Sequence, residues 1–115
     1  MAENLIAELK ARGCDVDTTL AETFMGNEAF YAKMFAKLAK NTCLGRMREA
    51  LAASDAAALF SASHELKGVY ASLGLTPLWT LCADIVEPAR AGSVDGAAEK
   101  LSKLEALHSE IVSLA

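Results

Sequence analysis

Alanine (23 residues) and leucine (16 residues) make up a third of this 115-residue chain, whereas valine, isoleucine and threonine together number 14. Ala and Leu enter helices readily, and β-branched residues favour strands. That imbalance predicts an all-α fold. Pro77 and Pro88 are the two prolines, so long stretches run free of helix breakers. The length suits one domain covering residues 1–115, with no room for a second catalytic lobe.

Local signals divide the chain. Arg12-Gly13 closes a short N-terminal helix, and Asp15 to Thr19 caps a second that ends near Met25-Gly26. Asn27 before Glu28 reads as an N-cap followed by an acid in the first turn, where the helix dipole favours it. From there the pattern stays helical to about Ala53, with weak points at Asn41-Thr42 and Gly45 that predict a kink. Ser54 is the expected cap of a helix from Asp55 to Leu73, with Gly74 as its stop. Thr76-Pro77 reads as N-cap plus Pro at the first turn of a helix running to about Ala91, distorted near Pro88. A last helix spans about Val94 to Leu114. Short connections force antiparallel neighbours, so the expected architecture is an up-down-up-down four-helix bundle at 27–114, with short extra helices at 1–26.

Composition excludes several functions. The net charge is −4, and the 11 Lys and Arg form no block, which argues against nucleic-acid binding. The longest uncharged run, Gly68 to Ala83, is 16 residues, shorter than the roughly 20 apolar residues a bilayer span needs. The start MAENLIAELK reads as an acidic helix, so no signal peptide is expected. Cys14, Cys43 and Cys82 form no CxxC pair, so neither a zinc site nor a disulfide framework is expected, and the expected compartment is the reducing cytoplasm.

One helix breaks the ordinary amphipathic pattern. At about 100° per residue, Leu59, Ala62, Leu66, Val69, Tyr70 and Leu73 fall within about 60° of Leu66. His64 points about 160° away from that stripe, beside Ala57, Phe60, Ser61, Lys67, Gly68 and Ala71. A solvated helix face normally carries Glu, Lys, Gln or Arg. Here small residues surround one imidazole, and Gly68 sits mid-helix at a cost of about 1 kcal/mol relative to Ala. The pattern predicts a docking patch centred on His64. An exposed imidazole offers a neutral nitrogen near pH 7, suited to nucleophilic attack on a phosphoryl group. Lys67 lies three residues on, within reach of the negative charge such an adduct carries. Lys33, Lys37 and Lys40 share a face that reads as solvated, or alternatively as a steering border of the patch. His108 reads as an ordinary surface or boundary histidine, Cys82 as a small core hydrophobe, and Trp79 as undecided between core and boundary.

The stretch SHELKGVYASLGLTPLWTLCADIVEPARAG resembles the signature of histidine-containing phosphotransfer (HPt) domains of two-component phosphorelays. The matching positions are His64, Leu66, Lys67, Gly68, Leu73, Gly74, Leu78, Cys82, Ile85, Arg90 and Gly92. Upstream, Leu20, Met25-Gly26-Asn27, Phe30-Tyr31, Met34-Phe35 and Leu51 are also similar, so the likeness runs from about Asp17 to Leu114. The resemblance implies a four-helix bundle with His64 as phosphoacceptor, Lys67 as charge partner and Gly68 as the bare position that admits a receiver domain. It implies a phosphocarrier rather than an enzyme, with no cofactor or metal of its own and Mg²⁺ supplied by the partner. The implied partners are receiver domains of a hybrid sensor kinase and a response regulator, and a monomer is expected. Two departures stand out. Val69 and Tyr70 follow Gly68 where small residues are common, and Val86 stands where many members carry Glu or Gln. They leave room for an adaptor that docks a receiver or kinase without phosphotransfer. A bundle that binds a metal or cofactor is a weaker alternative, needing His108 and the cysteines to converge.

Overall fold

A computed structural model describes residues 2–115 and contains seven α-helices. They are α1 (Ala2–Ala11), α2 (Val16–Glu22), α3 (Glu28–Ala36), α4 (Cys43–Ala52), α5 (Ala56–Leu73), α6 (Thr76–Arg90) and α7 (Ala97–Val112). A 3-10 turn, Lys37–Lys40, follows α3. No strand occurs among the described residues. α5 packs between α4 and α6, while α7 packs on α6 and α4, which closes a ring of four helices. α3 lies against α1 and α5.

The helix boundaries follow from their caps. Asn27 Oδ1 accepts the backbone N–H of Phe30 at 2.9 Å, as its position before Glu28 predicts. The expected helix from Glu28 to Ala53 is divided in two. The break falls at Asn41-Thr42, where Asn41 Oδ1 accepts the N–H of Cys43 at 2.8 Å and starts α4. Gly45 sits within α4 without interrupting it. Asp55, not Ser54, caps α5: its Oδ1 accepts the N–H of Ala58 at 3.0 Å. Ser54 instead takes a left-handed φ of 51° in the turn. α6 starts at Thr76 with Leu75 as its cap residue, because the Thr76 hydroxyl accepts the N–H of Asp15 at 3.3 Å. Pro88 does not end α6. It deprives the Asp84 carbonyl of its helical donor, and the Lys100 ammonium donates to that carbonyl at 3.1 Å. α7 begins later than expected, after Gly96, whose φ of 73° is left-handed.

Gly74 joins the N-terminal helices to the bundle. Its φ of 69° ends α5, with the Leu75 N–H returning to the Tyr70 carbonyl at 3.0 Å. A β-carbon at this position would meet the Thr19 hydroxyl and lie 2.6 Å from the Asp15 carbonyl oxygen. The Gly74 carbonyl accepts the Asp15 N–H at 2.9 Å, so the segment before α2 is laced directly to the α5–α6 turn. The Tyr31 hydroxyl adds a buried tie, donating to the Leu73 carbonyl at 2.6 Å.

Inside the bundle, Leu59, Leu66, Tyr70, Leu78, Cys82, Ile85, Leu101, Leu104 and Ile111 are fully buried or nearly so. His108 is also buried and corrects the expectation of a surface or boundary residue. It lies four residues after Leu104 and three before Ile111, on the core stripe of α7, and its Nδ1 meets the Tyr70 hydroxyl at 2.8 Å. Burial lowers the His108 pKa below its ordinary value near 6.5. The folded chain therefore favours the neutral ring, while the unfolded chain takes up a proton as pH drops below about 6.5. The stability this supplies is full above that pH and is lost as pH falls toward the lowered folded-state value. We predict that the urea midpoint of the wild-type chain drops more steeply between about pH 7 and about pH 5 than that of a Tyr70→Phe/His108→Leu double variant. Parallel pH profiles contradict the assignment.

Candidate functional site

α5 carries its two faces for different ends. Leu59, Ala62, Leu66, Tyr70 and Leu73 are buried on the side where α5 packs on α4 and α6, and Tyr70 reaches His108 of α7. Ser63, the buried polar residue of this helix, satisfies its hydroxyl on the carbonyls of Leu59 at 2.7 Å and Phe60 at 3.2 Å. The Cys82 thiol of α6 donates to the Ser63 carbonyl at 3.2 Å. Burial pushes that thiol up to about 12, so it remains a donor at neutral pH. His64 follows directly, and the anchored backbone turns its side chain outward into solvent. The imidazole forms no hydrogen bond with any described residue. Its ring stacks on Phe60, with centroids 5.3 Å apart and planes inclined by 20°.

The helices flanking α5 determine the charge around His64. On the α6 side, the Lys67 ammonium rests 5.4 Å from the centre of the Trp79 ring. The Arg90 guanidinium lies 4.8 Å from the centre of the Phe60 ring and pairs with Glu87 at 3.4 Å. On the α4 side, Glu65 pairs with Arg46 at 2.8 Å and accepts from the Cys43 thiol at 3.3 Å. The Arg46 hydrogen bond holds the Glu65 carboxyl below the ordinary carboxylate range. Glu65 and Glu87 are thus each tied to an arginine, while Lys67 forms no ion pair among the described residues.

The other expected residues of this face are distributed as follows. Ala57, Ser61, Gly68 and Ala71 are exposed on α5, and Phe60 and Lys67 are half-buried. A β-carbon added to Gly68 would meet nothing within 4 Å, so no packing inside the chain requires glycine there. Lys33, Lys37 and Lys40 are exposed and form no ion pair among the described residues. Lys37 joins Val69 and Ser72 along a groove of about 320 Å³ between α3 and the second half of α5. Lys33 and Lys40 do not line it. Val69, expected on the inner face, is half-buried at this groove instead, whereas Tyr70 is fully buried as expected.

Val86 is also fully buried and offers His64 no polar partner. His108 and the three cysteines do not converge: the cysteines are free and buried, and no cluster of three or more metal-ligating side chains occurs among the described residues. Spacing alone did not disclose Trp79 and Arg90 as neighbours of the site, since both come from α6. Their position across from Lys67 and Phe60 depends on the pairing of α5 with α6, although Arg90 was already among the positions resembling the HPt signature. No described helix is long and apolar enough to cross a membrane.

The Hpt domain family model matches residues 40–114, a span that contains α4 to α7 with His64, Phe60, Lys67, Gly68, Trp79 and Arg90, but not Lys33 or Lys37. No curated protein and no solved structure matches the chain. The open surroundings of Gly68 lead to a stability prediction. Replacing a mid-helix glycine with alanine where nothing is displaced stabilises by about 0.5–1 kcal/mol. Gly68→Ala is therefore expected to raise the urea midpoint, and a lowered midpoint would show that the glycine serves the fold.

Proposed function

The chain belongs to the Hpt domain family, and on that premise we propose that His64 carries a phosphoryl group between receiver-domain aspartates. The donor is the receiver of a hybrid sensor kinase, and the acceptor is a response regulator. The observation that carries this reading is an exposed imidazole, free of hydrogen bonds among the described residues, beside an uncommitted lysine and a bare glycine. Phosphotransfer in two-component signalling is the family's general role. The assignment of its steps to these residues is our own.

The chemistry needs little from this chain. An unprotonated ring nitrogen of His64 donates its lone pair to phosphorus and forms the N–P bond. The acyl-phosphate P–O bond breaks, and the receiver aspartate leaves as a carboxylate. The proton on the other ring nitrogen stays where it is, so no general base is required. Mg²⁺ on the receiver offsets the phosphoryl charge, and Lys67 leaves the Trp79 ring to meet the same charge from the carrier's side. Gly68, one turn after His64, lets the receiver backbone approach α5 closely. The chain acts as a phosphocarrier that borrows metal and catalysis from its partner.

Incubation with a phosphorylated receiver domain tests this. An acid-labile, base-stable label is expected on the wild-type chain and absent from His64→Gln. Lys67→Ala is expected to slow transfer by roughly ten- to a hundredfold, with the denaturation midpoint unchanged. A receiver that binds the chain but transfers no label assigns the chain to the adaptor class instead.

A further inference from the structure

We propose that Phe60 is a positioning residue for His64: its ring, steadied by Arg90, fixes the plane of the imidazole while both ring nitrogens stay free. The inference rests on the phosphoacceptor reading of His64 and assigns a part of the site that this reading does not use.

The lone pair of an imidazole nitrogen lies in the plane of the ring. Transfer to phosphorus requires that nitrogen, phosphorus and the departing oxygen come into line. Any wobble of the ring plane therefore spreads the direction of attack, and small misplacements are costly in rate. A histidine is commonly held by a hydrogen bond to one nitrogen, which also selects its tautomer. His64 has no such bond among the described residues, and Val86 on α6 is buried and apolar. An exposed side chain with nothing to hold it samples several rotamers.

The stack supplies the missing restraint. Helical side chains lean toward the N-terminus, so the His64 ring covers the turn occupied by Phe60 at i−4. Centroids 5.3 Å apart with planes at 20° describe an offset, nearly parallel pair. Phe60 is itself half-buried and carries the Arg90 guanidinium 4.8 Å from its ring centre. Arg90 is in turn paired with Glu87 on its own helix. The order of contacts runs from Glu87 through Arg90 and Phe60 to His64, which connects the imidazole plane to the last turns of α6. Lys67 takes no part, because it rests on Trp79. The restraint on the nucleophile and the cation for the phosphoryl group thus use separate aromatic rings.

The test combines a spectroscopic and a kinetic measurement on the full chain. The chain has two histidines, so the imidazole C–H resonances of His64 are readily assigned by ¹H–¹³C NMR with no phosphodonor present. Ring-current shielding by Phe60 is expected to be lost in Phe60→Leu, to remain in Phe60→Tyr and to be partly lost in Arg90→Gln. In single-turnover transfer from a phosphorylated receiver, Phe60→Leu is expected to lower the saturating rate about five- to tenfold, and Phe60→Tyr to restore it. The half-saturating receiver concentration should hardly move.

Unchanged His64 resonances in Phe60→Leu overturn the stack, and unchanged resonances in Arg90→Gln remove the arginine from it. A raised half-saturating concentration with an intact saturating rate overturns the positioning role and makes Phe60 a docking contact. Absence of label on the wild-type chain overturns the phosphoacceptor reading and with it any role in transfer. That failure is distinct from failure of the stack, because the NMR measurement needs no transfer.

Discussion

The rest of this structure depends on α5 being buried along one side and bare along the other. Leu59, Leu66 and Tyr70 are fully enclosed where α5 packs on α4 and α6, and Tyr70 reaches α7 through His108. Burying a large apolar side chain is worth about 1.5–3 kcal/mol, so a few such residues hold the helix firmly. The outward face contributes little to that total. Ala57, Ser61, Gly68 and Ala71 have small side chains or none, and the His64 imidazole stands among them. A helix fixed from behind holds the His64 imidazole on a rigid element, which positions it more closely than a loop would.

Electrostatics follows from the same arrangement. α4 and α6 flank the exposed face, and each brings an arginine that occupies a neighbouring carboxylate: Arg46 holds Glu65, and Arg90 holds Glu87. Exposed pairs of this kind contribute little to stability. Their consequence here is local: Glu65 and Glu87 are each matched by an arginine, while Lys67 has no ion pair among the described residues. Arg90 meets both the Phe60 ring and the Glu87 carboxylate, whereas the Lys67 ammonium rests on the Trp79 ring face with no carboxylate paired to it among the described residues. A cation held this way keeps its full charge for a second partner, which a salt bridge would neutralise.

Much of this was legible in the sequence, for physical reasons that differ from residue to residue. The Ala and Leu content identified the fold class, and helical periodicity turned His64 away from Leu66. Asn27 and Gly74 identified themselves because a side-chain cap and a left-handed C-terminus are local requirements. The caps that were misplaced lie beside equally competent neighbours: Ser54 next to Asp55, and Thr76 drawn off by Asp15. His108 read as a surface or boundary residue because its partner, Tyr70, is 38 positions away in the chain, although its place between Leu104 and Ile111 marked it as inward-facing. The contacts of Phe60 with Arg90 and of Lys67 with Trp79 depend on how α5 and α6 pair, and single-helix periodicity carries no information about that.

The central claim is that α5 separates stability from function, its inner face holding the fold and its outer face admitting a partner. The most direct measurement is phosphoryl transfer to Gly68→Gln from a phosphorylated receiver, with the urea midpoint determined on the same sample. Nothing lies within 4 Å of a β-carbon at this position, so the fold should be retained. The account predicts an unchanged or higher midpoint together with transfer blocked by the added side chain. Transfer at the wild-type rate in a folded Gly68→Gln variant would contradict it.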